Sequence, residues 1–235
     1  MGFLSFPDAT LPEMKSFHSI DGSIVAPQGF LTAGLFCDVK RLGTGKGSNK
    51  GQKRDLAVIV SEVPATAAGM FTTNQICAAP VKVCVEHIAD GKAQAVVINS
   101  GNANACTGPR GLKDAREMTA LLAEELLLQP EDVFVGSTGR IGLELPMPNI
   151  RAGIRQIVKE LDDAPTAAHH AAEAIMTSDT RPKEIAVEFK LGGQTVRLGG
   201  IAKGAGMIQP GMSPPLSLIH ISEPTRLGMI AYAVF

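Results

Sequence analysis

The stretch AVVINSGNANACTGPRGLKDAREMTALLAEELLLQPEDVFVGSTGRIG, residues 95–142, decides the fold class. It begins with a strand-like apolar run at Ala95–Asn99 and contains a second such run at Val133–Val135. Between these runs, residues 112–128 repeat apolar side chains at helical spacing, on a stripe made of Leu112, Ala115, Met118, Leu122 and Leu126. The stretch therefore predicts two strands separated by an amphipathic helix.

Similar patterns extend from this stretch in both directions. Before it, after an irregular opening to about Gly29, apolar runs predict strands at Phe30–Val39, Leu56–Ser61, Gly69–Asn74 and Val81–Val85. After it, Asn149 is the predicted N-cap of a helix over residues 150–161. A further helix is predicted at Ala167–Met176, and strands at Ile185–Lys190 and Gln194–Ile201. This order predicts an α/β fold, a layered sandwich in which helices pack on the faces of a sheet.

The charge balance excludes several classes of protein. The chain has 22 Lys and Arg against 23 Asp and Glu over 235 residues, so it lacks the basic excess of a nucleic-acid binder. It has no apolar run of about 18 residues, so we expect no membrane partner. The N-terminus shows no secretory signal. The chain has four cysteines, Cys37, Cys77, Cys84 and Cys106, and their spacing is not that of metal ligands, so we expect no metal site. We expect each thiol to be reduced and buried, in a cytoplasmic chain.

A segment rich in Gly and Lys, RLGTGKGSNKGQKRD at residues 41–55, joins the first two predicted strands. Its Gly45-Lys46 pair is reminiscent of a phosphate-binding loop. However, Gly47 stands where that motif needs Ser or Thr, and no helical pattern follows. We interpret the segment as a solvated basic hairpin loop.

Four stretches rich in Gly and polar residues follow or join predicted elements: NSGNANACTG (99–108), GSTGRIG (136–142), MTSDTRPK (176–183) and GGIAKGAGMIQPGM (199–212). Glycines let backbone N–H groups approach a ligand closely, and neighbouring hydroxyls can stabilise an oxyanion. Each stretch taken alone is more typical of an ordinary turn. Together they indicate a site but name no reaction.

The chain resembles the ornithine acetyltransferase family of arginine biosynthesis in five segments: SEVPATAAGMFTTN (61–74), VVINSGNANACTG (96–108), STGRIG (137–142), AEAIMTSDT (172–180) and GGIAKGAGMIQPGM (199–212). The resemblance implies that residues 1–212 form the first (alpha) chain of an N-terminal-nucleophile-like sandwich. It implies transfer of an acetyl group from N-acetylornithine to glutamate through an acetyl-threonine enzyme. It also implies no cofactor, although some members use acetyl-CoA as acetyl donor.

The resemblance implies roles for individual residues. Thr138 and Gly139 match the family's oxyanion-stabilising pair, Thr138 through its hydroxyl and Gly139 through its backbone N–H. Thr177 matches a substrate-binding threonine, with Thr180 as a second choice, and Lys203 matches a lysine that contacts the substrate's carboxylate. The alternatives are helix capping for Thr177 and a solvated loop cation for Lys203.

The sequence departs from the family pattern after Met212. The family's nucleophilic threonine falls at Pro214, and Ser213 is the nearby hydroxyl. The segment LSLIHISEPTR, residues 216–226, resembles a translated sequencing adaptor, so we expect residues 213–235 to be a non-native tail. We therefore expect a truncated first-chain fragment that is inactive without a second (beta) chain, with which family members form a heterotetramer.

Two other functions stay open. One is an aminopeptidase of related self-cleaving fold, and the other is a non-catalytic module that binds a small anion in its Gly-rich loops. Peptide hydrolysis without acetyl exchange would indicate the first. Thermal stabilisation by a ligand, without a covalent acetyl-enzyme, would indicate the second.

Overall fold

The computed structural model of the chain describes residues 17–40, 53–204 and 212–213. Its strands, in chain order, are β1 (Phe17–Ser19), β2 (Phe30–Leu35), β3 (Leu56–Thr66), β4 (Phe71–Thr72), β5 (Lys92–Asn102), β6 (Val133–Arg140), β7 (Lys183–Leu191), β8 (Gln194–Ala202) and β9 (Met212–Ser213). The α-helices within these ranges are α1 (Ala79–His87), α2 (Gly108–Leu126), α3 (Met147–Ile157) and α4 (Pro165–Ala174).

Four strands form the central sheet, in the order β2-β3-β5-β6. The pairs β2–β3 and β3–β5 are antiparallel, whereas β5 and β6 run parallel and α2 crosses between them. Two parallel neighbours end at the same edge of a sheet, so the polar motifs that end β5 and β6 lie side by side. Ser100 is opposite Thr138, and Gly101 is opposite Gly139.

Helices cover both faces of this sheet, because alternate residues of β3 and β5 are apolar on opposite faces. One face packs against α1, α2 and α3, in a core that includes Val58, Val83, Val97, Met118, Leu122 and Ile150. The opposite face packs against α4, in a core that includes Ala57, Ile59, Ile98, Ala168 and Ala171. A Cβ on Gly34 of β2 would lie 2.2 Å from the carbonyl oxygen of His170, so α4 contacts the sheet at backbone distance. The predicted layered α/β sandwich is confirmed.

A second, antiparallel sheet has the order β1-β7-β8. It packs on the 3-10 turn Ser23–Val25, where a Cβ on Gly199 would lie 2.1 Å from the carbonyl oxygen of Ser23. Because β8 ends at Ala202, the chain enters the Lys203 loop directly from this sheet. The short strands β4 and β9 also pair, with Phe71 opposite Ser213.

The strand predicted at Val81–Val85 is wrong, because these residues lie in helix α1. Pro80 occupies the first turn of the helix, where its missing N–H costs nothing. Ala79 and Val83, four residues apart, are both buried, which is helical and not strand spacing. Packing of this face therefore overrides the strand propensity of the valines.

Several predicted boundaries also differ from the structure; the strand predicted at Gly69–Asn74, for example, covers only Phe71–Thr72. The strand predicted over Phe30–Val39 ends at Leu35. The buried carboxylate of Asp55 accepts the next backbone N–H groups and draws the chain away from the sheet. Asn149 is not an N-cap, because α3 begins at Met147, directly after a proline. The N-terminal segment predicted as irregular contains β1 and a 3-10 turn.

The four cysteines are unpaired, but their predicted burial is only partly correct. Cys37, Cys77 and Cys84 are half-buried, whereas Cys106 is exposed in the loop between β5 and α2. Within the part of the chain that the structure describes, no helix is long and apolar enough to cross a membrane. The predictions for most of the Gly- and Lys-rich loop (41–52), for Pro214 and for the adaptor-like segment concern residues outside the described ranges.

Candidate functional site

The ends of β5 and β6 meet at backbone distance. Gly139 has a φ angle of 134°, which side-chain-bearing residues rarely adopt. A Cβ on Gly139 would lie 2.3 Å from the carbonyl carbon of Gly101 and 2.6 Å from the amide nitrogen of Asn102. Conformation and space therefore both require glycine here. Thr138 is half-buried beside this contact, and its hydroxyl has no hydrogen-bond partner among the described residues.

The loop that follows β5 is fixed by buried asparagines: Asn99, Asn102 and Asn104. The side-chain amide of Asn102 donates to two carbonyl oxygens of the loop after β6, at 3.1 and 2.9 Å. Its side-chain oxygen accepts the backbone N–H of Asn104 at 2.8 Å. Asn99 accepts the hydroxyl of Ser137 at 2.6 Å. This buried network holds the loops after β5 and β6 against each other.

Ser100 connects the end of β5 to helix α4. Its hydroxyl is buried and donates a hydrogen bond to the carbonyl oxygen of Ala174, the last residue of α4. An unpaired buried hydroxyl is costly, so this contact specifies where α4 ends against the sheet. Thr177 follows the last residue of α4 by three positions.

Asp179 organises the loop between α4 and β7. Its carboxylate, with 2% of the side chain exposed, accepts the backbone N–H of Thr177 at 3.2 Å and that of Gly204 at 2.7 Å. It also pairs with the ammonium groups of Lys183 at 2.6 Å and Lys203 at 3.3 Å. Burial alone would raise the pKa of Asp179, but these donors hold it well below its usual range. The carboxylate is therefore charged at neutral pH.

Lys40 is a buried cation behind the glycine contact. A Cβ on Gly101 would lie 2.8 Å from the Cα of Lys40, whose ammonium group donates to the carbonyl oxygen of Arg54. Burial lowers the pKa of Lys40 to about 8, and the positive charge of Lys203 acts in the same direction.

The structure brings the predicted site residues together as two pairs. Thr138 and Gly139 are neighbours on β6, while Thr177 and Lys203 are joined by Asp179. Thr177 lies beyond the end of α4 and caps none of the described helices. Lys203 forms an ion pair with Asp179, and 17% of its side chain is exposed. The alternatives of a helix cap and a solvated cation therefore do not describe these residues.

Three further observations concern the site. Thr180, the second choice for a substrate-binding threonine, is exposed. Sequence reasoning missed Asp179, although its position between two threonines of MTSDT was a usable signal, because a short acid in a connecting loop often accepts neighbouring backbone N–H groups. Over the described ranges, no three His, Cys, Asp or Glu side chains lie close enough together to hold a metal ion.

The chain matches the profile of the ArgJ family over residues 41–226. It is 48% identical over 198 residues to the arginine biosynthesis bifunctional protein ArgJ of Symbiobacterium thermophilum, a match that covers 84% of this chain and 47% of the relative. It is 46% identical over 207 residues to the protein of the same name from Shouchella clausii, a match that covers 87% of this chain and 47% of the relative. The chain thus spans about half the length of the curated relatives that it matches.

Solved structures share the fold. The crystal structure of arginine biosynthesis bifunctional protein ArgJ from Bacillus halodurans superposes with a TM-score of 0.76 at 42% identity, covering 85% of this chain and 100% of that one. The crystal structure of ornithine acetyltransferase complexed with ornithine, from Mycobacterium tuberculosis, gives a TM-score of 0.74 at 36% identity. That match covers 84% of this chain and 100% of the other. Sequence profile, relatives and fold agree, and the chain belongs to the ArgJ family.

Proposed function

We propose that this chain carries the acetyl-transfer site of an ornithine acetyltransferase, which moves an acetyl group from N-acetylornithine to glutamate in arginine biosynthesis. One observation carries the proposal: Ser100, which lies opposite Thr138 on the neighbouring strand, donates a hydrogen bond to the carbonyl oxygen of Ala174, three residues before Thr177. Of the two pairs of motif residues, one offers donors for an oxyanion, and the other offers a cation for a carboxylate. An amino acid with an acylated α-amine needs both.

The oxyanion donors act on the acetyl carbonyl. In the proposed reaction, a threonine hydroxyl supplied by a second chain attacks this carbonyl, and the oxygen becomes negatively charged in the tetrahedral intermediate. The hydroxyl of Thr138 and the backbone N–H of Gly139 donate hydrogen bonds to it. Collapse breaks the amide C–N bond, so ornithine leaves with a proton and an acetyl-threonine ester remains. The amine of glutamate then attacks the ester and regenerates the threonine.

The other pair holds the amino-acid end of the substrate. The Lys203 ammonium group pairs with the α-carboxylate of N-acetylornithine and, in the second half-reaction, with that of glutamate. The Thr177 hydroxyl donates to the same end of the substrate, since among the described residues it has no other hydrogen-bond partner. This arrangement positions the acetyl group by holding the carboxylate next to the amine that carries it.

The remaining parts of the proposal concern partners. The nucleophile comes from a beta chain, and two pairs of chains form a heterotetramer in the cytoplasm. The reaction needs no bound cofactor, and acetyl-CoA serves as a second acetyl donor. The word bifunctional in the names of the relatives supports a test of both donors.

The experiment supplies the chain with the carboxyl-terminal half of the Symbiobacterium thermophilum relative by co-expression. Radiolabelled acetyl from N-acetylornithine is expected in N-acetylglutamate, and the same assay is repeated with labelled acetyl-CoA. Thr138→Val is expected to lower kcat about 100-fold, the loss typical of one oxyanion donor. Thr166→Val, which alters an exposed hydroxyl on α4, is the matched control and is expected to keep the wild-type rate.

Several outcomes contradict the proposal. Absence of acetyl exchange by the wild-type protein, or equal kcat for the two variants, would overturn the assigned reaction or the role of Thr138. Hydrolysis of short peptides without exchange would identify an aminopeptidase. Ornithine binding without an acetyl-enzyme in the mass spectrum would identify a binding module.

A further inference from the structure

Asp179 is the point at which three separate segments of the candidate site meet. Its two carboxylate oxygens accept donors from the loop that holds Thr177, from the start of β7 and from the Lys203-Gly204 turn after β8. Only 2% of the side chain is exposed, against 41% for Lys183 and 17% for Lys203. The carboxylate is thus nearly covered, while the two cations reach toward solvent.

Among the residues that the structure describes, the contacts of Lys203 leave one of its donors unused. A lysine ammonium group has three N–H donors. In Lys203 one donates to Asp179 at 3.3 Å and another to the carbonyl oxygen of Gly204 at 3.1 Å. Because these two bonds fix the orientation of the ammonium group, the third N–H points in a defined direction. It has no partner among the described residues and is free to meet a ligand.

The charges of the cluster also favour a particular ligand. Lys183 and Lys203 carry two positive charges, and Asp179 carries one negative charge. The net charge of plus one is neutralised by a single carboxylate. Without Asp179, the two ammonium groups would repel each other and would favour a ligand with two negative charges.

We infer that Asp179 is a positioning residue that holds the Lys203 ammonium group for one carboxylate of an amino-acid substrate. This inference rests on the proposed function, because it takes ornithine as the ligand. Asp179 touches no substrate itself, and its effect passes through Lys203. Replacing Asp179 with Asn keeps the size of the side chain but removes the charge that orients Lys203.

The experiment measures ornithine binding by calorimetry on the co-expressed protein and, separately, kcat and KM for acetyl exchange. In Asp179→Asn, the Kd of ornithine is expected to rise about tenfold, as expected when one charge-assisted contact is lost. We expect kcat to change less than about threefold, because the oxyanion donors are untouched. Glu188→Gln is the matched control, since it removes one acid of the β7–β8 sheet that pairs with Arg197 away from the site. It is expected to bind ornithine like the wild type.

Two comparisons separate positioning from a structural role. The ligand 1,4-diaminobutane has the two amines of ornithine but no carboxylate, so Asp179→Asn is expected to leave its Kd unchanged. In a Lys203→Ala background, Asp179→Asn is expected to raise the Kd of ornithine no further, because its effect acts through the missing ammonium group. A role confined to folding would instead weaken both ligands and would persist in the double variant.

The outcomes also separate this inference from the proposed function. If Asp179→Asn binds ornithine as tightly as the wild type, or if the wild type binds no ornithine, the inference is overturned. If ornithine binding depends on Asp179 and Lys203 but no acetyl exchange occurs, the inference stands and the proposed reaction fails.

Discussion

The contact between β5 and β6 predicts an unusually large effect of Gly139→Ala. The added Cβ would lie 2.3 and 2.6 Å from backbone atoms of Gly101 and Asn102. Those atoms belong to the central sheet and to its asparagine network, so they cannot move without disturbing other hydrogen bonds. The φ angle of 134° adds strain of its own for any residue with a Cβ.

The expected cost follows from these two effects. Strain at a positive φ costs about 1–3 kcal/mol, and forcing an extra carbon into a packed site costs about 1–3 kcal/mol. We expect Gly139→Ala to lower the free energy of unfolding by about 4 kcal/mol. At about 2–4 °C of melting temperature per kcal/mol for a chain of this size, the shift is about 8–16 °C.

The assay is thermal unfolding followed by circular dichroism, with Gly142→Ala as the control. Gly142 lies in the following loop with a φ angle of 77°, but its added Cβ would meet nothing within 4 Å. Gly142→Ala therefore introduces backbone strain without a clash, and we expect it to lower the free energy of unfolding by only about 1 kcal/mol. Equal shifts for the two variants would refute the argument, because the difference between them rests on the contact with Gly101.

Three further experiments test other features of the fold. Asp55→Asn is expected to lower the free energy of unfolding, measured with denaturant, by about 3 kcal/mol, because this fully buried carboxylate accepts three backbone N–H groups. A loss below about 1 kcal/mol would contradict this reasoning. With a thiol reagent at about pH 7.5, the exposed Cys106 is expected to react first and Cys84 slowly, because burial raises the pKa of the Cys84 thiol. Equal rates of labelling at the two cysteines, followed by mass spectrometry, would contradict this expectation. The hydrogen bond from His169 to the Glu184 carboxylate raises the pKa of His169, so its stabilisation is present below about pH 6.5 and is lost as the pH rises through the folded value. The wild type is therefore expected to exceed Glu184→Gln in unfolding free energy by more at about pH 5 than at about pH 9, and an equal difference would contradict the role of the pair.

The strands and long helices were predictable because burial imposes a regular spacing on apolar side chains. The stripe through Met118 and Leu122 and the runs that became β5 and β6 show this spacing clearly. The error at Val81–Val85 arose because the three valines alternate with the spacing of a strand. Tertiary contacts of α1 favour the helix over the strand, and a single sequence does not show these contacts.

The site was predictable as motifs but not as an arrangement. The Gly-rich stretches mark where the backbone must turn or approach another strand, as Gly139 does. The contacts that join the motifs cross long distances along the chain: Ser100 meets a carbonyl 74 residues away, and Asp179 meets Gly204 25 residues away. Local sequence carries no signal for such pairings, which depend on the crossover of α2 and on where α4 ends.

The most direct test of the central claim is a crystal structure of the co-expressed protein with ornithine bound. The claim is that Thr138-Gly139 and Thr177-Lys203 line one substrate site. It predicts the ornithine carboxylate within about 3.2 Å of the Lys203 ammonium nitrogen, with the α-amine directed at Thr138 and Gly139. Ornithine bound with its carboxylate away from Lys203, or with its α-amine directed away from the ends of β5 and β6, would contradict the claim.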